Sequence, residues 1–152
     1  MTKLEELENS AYTEQISIID AKVTGNTKAM SFNFETAKII AMDKSNIFNS
    51  IEEKELLAEE VGHFVTNAFY CIAKNFNHPL SRLNARKAEA EAENYKIDFL
   101  VSVEDIQGAL DKGCREDWEI AEYCDCSVEL LRKAILRYER KGITFKARDA
   151  DW

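Results

Sequence analysis

The sequence predicts an α+β protein, with a small antiparallel sheet in its first third and helices through the rest. Three observations carry that expectation. The segments ISIID (Ile16–Asp20) and KAMSFNFETAKIIAMD (residues 28–43) are rich in β-branched or alternating residues. From Ser50 onward the apolar spacing changes to the 3–4 residue period of helices. The chain has 152 residues, 45% of them hydrophobic and 32% charged, enough for one folded core with room for a small helical appendage.

Leu4, Leu7 and Ala11 at helical spacing predict a short first helix. ISIID supplies the first strand, TGNT (residues 24–27) supplies turn chemistry, and residues 28–43 supply two paired strands with a turn near Glu35. Ser50 followed by Glu53 has the spacing of a capping box, so the first long helix is expected to begin there and run to about Tyr70. The only proline, Pro79, marks the clearest break in the helical half. A second long helix is expected from Ser81 or Leu83 to Val101. Shorter ones follow in VEDIQGALDKG, EDWEIAEYC and SVELLRKAILRYERKG, the first and last closed by Gly113 and Gly142. The expected organisation is a first domain over residues 1–102 and a C-terminal helical lobe over 103–152, packed together as one unit. Trp118, Tyr123 and Tyr138 read as core of that lobe.

Net charge and cysteine usage narrow the function classes. A charge of −8 argues against global attraction to nucleic acid, although residues 127–148 carry seven basic residues against Glu129 and Glu139, a local excess of +5. Cys71, Cys114, Cys124 and Cys126 include no second pair facing Cys124-Asp125-Cys126, so they read as reduced, partly buried thiols. No apolar run approaches the roughly 18 residues of a membrane span, and MTKLEELENS lacks the pattern of an export signal. The expected location is cytoplasmic.

The chemistry-bearing stretch is EKELLAEEVGHFVTNAFY (residues 53–70). Residues four apart share a helix face, so Glu59 and His63 point together with Glu60 beside them. This is the spacing of the H-E-x-x-H metallopeptidase helix, a zincin-like core element, with Glu59 where the first histidine would stand. In such a helix positions i and i+4 hold a metal, and the carboxylate at i+1 takes the proton of the attacking water. Ala58, Val61 and Gly62 surround these acids with small or apolar residues. A mid-helix glycine costs about 1 kcal/mol against alanine, and Gly62 therefore implies a close packing approach.

LLAEEVGHF, followed by RKAEAEAENYKIDFLVS, resembles the ImmA/IrrE family of metallopeptidases, carried by phages and prophages, other mobile elements and bacterial stress regulators. In that family a zinc-binding H-E-x-G-H helix precedes a helix with a Glu-x-x-Ala pattern, an aromatic residue and a Leu-Leu/Ile-Pro stretch. Glu89-Ala90-Glu91-Ala92, Tyr95 and Leu100-Val101 match the second pattern, with Ser102 in the proline position. The resemblance implies Glu59, His63 and Glu89 as metal ligands, Glu91 as the rival third ligand, and Glu60 as catalytic base. It implies Zn²⁺ as cofactor. The extra oxygen donor at Glu59 also opens the site to Mn²⁺ or another divalent ion, because two carboxylates cancel the +2 charge and weaken the Lewis acid. His78, a loop histidine, stays outside the set.

The expected function is cleavage of a protein substrate, the helix-turn-helix repressor of the same phage or mobile element. Two other readings remain. A member that has lost catalysis would sequester its partner without cutting. A DNA-binding protein is suggested by the helix-turn-helix spacing of WEIAEYCDCSVELLRKAI, but the acids Glu116, Asp117, Glu119 and Glu122 oppose it.

Overall fold

The computed structural model describes residues 1–23, 25–66 and 79–147. The chain divides into two compact units, Met1–Lys96 and Ile97–Trp152. Among the described residues no helix is long and apolar enough to cross a membrane.

The first unit opens with helix α1 (Lys3–Thr13), whose Thr2 and Glu5 form a reciprocal capping box and whose Leu7 and Ala11 are fully buried. Strands β1 (Ile16–Asp20), β2 (Ala29–Asn33) and β3 (Lys38–Met42) follow. Strands β2 and β3 form the expected antiparallel hairpin, turning through Glu35 and Thr36 between the paired Phe34 and Ala37. The sheet as a whole is mixed and not antiparallel throughout, because β1 pairs with β3 in parallel, Ile16 opposite Lys38 through Asp20 opposite Met42. The strand order β1-β3-β2 follows from composition. Ile40, Ala41 and Met42 make β3 the most apolar strand, and only the central position covers it on both edges.

Helix α2 (Ser50–Val65) packs on α1 and the sheet through Leu57, Ala58 and Val61. Its cap is Asn49, one residue earlier than the expected Ser50. Asn49 holds extended backbone angles and its side chain accepts the amide of Glu52 at 2.8 Å, whereas Ser50 is already helical. The expected extension of this helix to Tyr70 lies outside the described residues. Helix α3 (Pro79–Leu100) closes the first unit and opens the second.

The second unit is a helical lobe: the last turn of α3, then α4 (Val103–Asp111), α5 (Asp117–Cys124) and α6 (Val128–Arg140). Ile106, Ile120, Leu130, Leu131 and Tyr138 are its core, and the Tyr138 hydroxyl donates to the Val101 carbonyl at 2.6 Å. Gly113 and Gly142 hold positive φ after α4 and α6, as their positions in the sequence imply. Trp118 and Tyr123 are not core: they are 61% and 48% exposed. Helix α5 has two turns and buries only the strip at Ile120 and Ala121, which leaves both aromatic residues on its flanks.

Candidate metal centre

Helix α2 carries Glu59, Glu60 and His63 in its last two turns, and Gly62 decides what can come near them. A Cβ at position 62 would stand 2.9 Å from the Ala92 carbonyl oxygen and 3.0 Å from the Tyr95 ring. The missing side chain therefore lets the α3 backbone pass directly against α2. On α3 the buried residues at this crossing are Ala88 and Ala92, one turn apart and equally small.

The close crossing brings three of the expected residues together. Glu59, His63 and Glu89 each offer one ligand atom, all within 4.8 Å of one another. His63 Nε2 lies 3.7 Å from Glu89 Oε1, close to the ~3.4 Å edge of a tetrahedron built on metal–ligand bonds of about 2.1 Å. The His63 side chain is 10% exposed and that of Glu89 46%, so the cluster opens on the Glu89 side. Two oxygen donors and one imidazole at these separations fit a divalent ion such as Zn²⁺ or Mn²⁺. Glu91, two residues further along α3, is not in the cluster. His78 and Cys71 lie outside the described residues.

Glu60 is turned toward the sheet. Its carboxylate Oε2 accepts a short hydrogen bond from the Ser31 hydroxyl on β2. Burial pushes the Glu60 carboxyl above the usual carboxylate range and the charges of Glu59 and Glu89 push the same way, against the opposing pull of Ser31 and His63. A carboxylate with raised proton affinity beside a ligand cluster has the chemistry of a general base.

Two contributors were not legible as site residues. Lys96, whose side chain is 12% exposed, places Nζ 2.7 Å from Glu59 Oε2. Positions 89 and 96 lie two turns apart on one face of α3, a spacing that by itself does not separate Lys96 from a solvated lysine. Ser31 gave no signal at all, because its contact with Glu60 spans 29 positions.

The second unit's basic helix is largely engaged with its own acids. Arg132 Nε bonds Asp117 at 2.9 Å, Arg137 grips Asp98 through two bonds of 2.9 and 2.7 Å, and Lys133 lies 3.5 Å from Glu129. Cys114 and Cys124 are free thiols, and burial raises Cys124 to about 11, far from a reactive thiolate. Comparison with protein-family profiles, curated proteins and solved structures yields no match.

Proposed function

We propose that this chain is a metal-dependent endopeptidase acting on a protein substrate, its target being the helix-turn-helix repressor of a phage or mobile element. The repressor target follows from the resemblance to the ImmA/IrrE family. The observation supporting the chemistry is the convergence of Glu59, His63 and Glu89 within 4.8 Å beside a half-buried Glu60. A divalent ion held there supplies Lewis acidity toward a peptide carbonyl. His63, held by its burial, orients the set, while Glu89 at the exposed edge leaves an approach for substrate. Glu60 takes the proton of the attacking water and returns it to the departing amine, and the Ser31 hydroxyl fixes which carboxylate oxygen is turned to that task.

A second reading, a sequestering factor without catalysis, draws support from Lys96, whose ammonium by itself pairs the Glu59 carboxylate. Glu60→Gln separates the two. It preserves size and the Ser31 contact but removes the proton acceptor, so cleavage of a co-expressed repressor should fall by about two to four orders of magnitude with metal content unchanged. Undiminished cleavage by Glu60→Gln would remove Glu60 from the mechanism. Absence of cleavage by wild type, with the partner still bound, would favour sequestration.

A further inference from the structure

The centre contains a cation of its own, and its position addresses the oddest feature of the motif. A histidine at position 59 would be a neutral ligand. Glu59 adds a negative charge, which brings the donor set of Glu59, Glu89 and neutral His63 to −2. The Lys96 ammonium, 2.7 Å from Glu59 Oε2 and nearly enclosed, brings the ensemble to −1. That is the formal charge of a set with two histidines and one glutamate.

We propose that Lys96 is a positioning residue that sets the charge of the metal centre, so that Glu59 and Lys96 together stand in for one neutral ligand. This rests on the metal reading above. A carboxylate has two oxygens, and Lys96 takes Oε2 in a charge-assisted bond that fixes the plane of the group and drains its charge. A dication entering the set then keeps a formal +1 with Lys96 included, instead of being neutralised as the bare donor set would make it. The arrangement has a cost that can be measured. A fixed positive charge on an oxygen of the cluster repels the incoming ion, so the lysine should weaken metal binding while preserving the electrophilicity of what is bound.

The opposed directions distinguish this role from simple support of the fold. A lysine that only props the helices apart or together would, when removed, loosen the cluster and lose metal. Lys96→Met should instead bind Mn²⁺ at least about tenfold more tightly than wild type, even if the interaction is screened by water's full dielectric. Lys96→Arg, which keeps the charge, should bind as wild type does. The same logic predicts that Glu59→His alone improves nothing, because it leaves Lys96 as an unbalanced cation. Glu59→His combined with Lys96→Met should bind about tenfold more tightly than Glu59→His.

Calorimetric titration of chelator-stripped protein with Mn²⁺, across wild type and these variants, reads all of this without any activity assay. Circular dichroism checks the fold of each. Should Lys96→Met fail to fold with Glu59 left unpaired, the two Glu59→His proteins, in which no Glu59 carboxylate remains, carry the comparison. Tighter binding on removal of Lys96 supports the proposal. Equal or weaker binding by folded Lys96→Met, or by the double variant relative to Glu59→His, overturns it while leaving the metal reading standing. No binding by wild type or any variant overturns both.

Discussion

Each unit carries a glycine inside a helix, and the two glycines serve different ends. At Gly62 on α2 the space a side chain would fill is taken by backbone, the Ala92 carbonyl oxygen 2.9 Å from an ideal Cβ. At Gly108 on α4 the nearest obstacle is the Tyr123 hydroxyl at 3.1 Å, the tip of a half-exposed side chain that can move aside. The first glycine is required by a helix crossing. The second is only a weak point in its helix. Buried charge divides the same way: among the described residues Asp43, Lys54 and His63 are the buried ionisable side chains other than tyrosine and cysteine, and all three belong to the first unit. Placing such groups inside costs a few kcal/mol each unless they are satisfied, so each needs a partner. Asp43 illustrates a purely structural case, its carboxylate held low by hydrogen bonds from Ser45 and Asn46.

The contrast can be broken at several points. Gly62→Val should have the largest effect, about 3 kcal/mol of destabilisation measured by urea unfolding, because neither backbone at the crossing can yield cheaply. Tyr138→Phe removes a buried hydroxyl and strands the Val101 carbonyl, for a loss of about 1–2 kcal/mol confined to the second unit. Gly108→Ala should go the other way and stabilise by up to about 1 kcal/mol, since the gain in helix propensity is opposed only by a mobile tyrosine. A cost at Gly108 comparable to that at Gly62 would erase the distinction between the two helices.

The smallest effect is electrostatic. The Arg137 guanidinium holds the Asp98 carboxyl below its ordinary value of 3.8. A depressed carboxylate contributes stability above its unfolded pKa and loses it as pH falls through the lower folded value. Asp98→Asn should therefore cost roughly 0.5 kcal/mol near neutrality, discounted for a partly exposed pair, and progressively less as pH falls below the ordinary carboxylate range. Thermal melts of both proteins along a descending pH series from about 7 check this, and a difference that does not shrink with acidification would contradict it.

Much of the fold was legible because its signals are local. The apolar positions of α1 and α6, the hairpin turn at Glu35, and the closures at Gly113 and Gly142 depend on spacings of a few residues. What escaped was set by distant partners. The parallel pairing of β1 with β3 arises from competition for the central position of the sheet, which no single strand reveals. The exposure of Trp118 and Tyr123 depends on how little of α5 its neighbours cover. At the site, Glu59, Glu60 and His63 could be read from helix periodicity, and Gly62 announced the close approach that accompanies them. Glu89 came from the register of the family resemblance. Lys96 and Ser31 were passed over because a charged residue on an Ala/Glu helix, and a serine in a strand, have ordinary solvated roles unless the fold brings a carboxylate to them.

The central claim is that Glu59, His63 and Glu89 form a cation site, and a melting experiment addresses it most directly. Protein stripped with chelator and carrying no histidine tag is melted with and without Zn²⁺ or Mn²⁺, beside His63→Ala treated identically. Binding at a hundred times the dissociation constant should stabilise the folded chain by about 2.7 kcal/mol, seen as a rise of several degrees in wild type that His63→Ala does not share. Melting curves that no divalent ion shifts, or that shift equally in wild type and His63→Ala, would contradict the account.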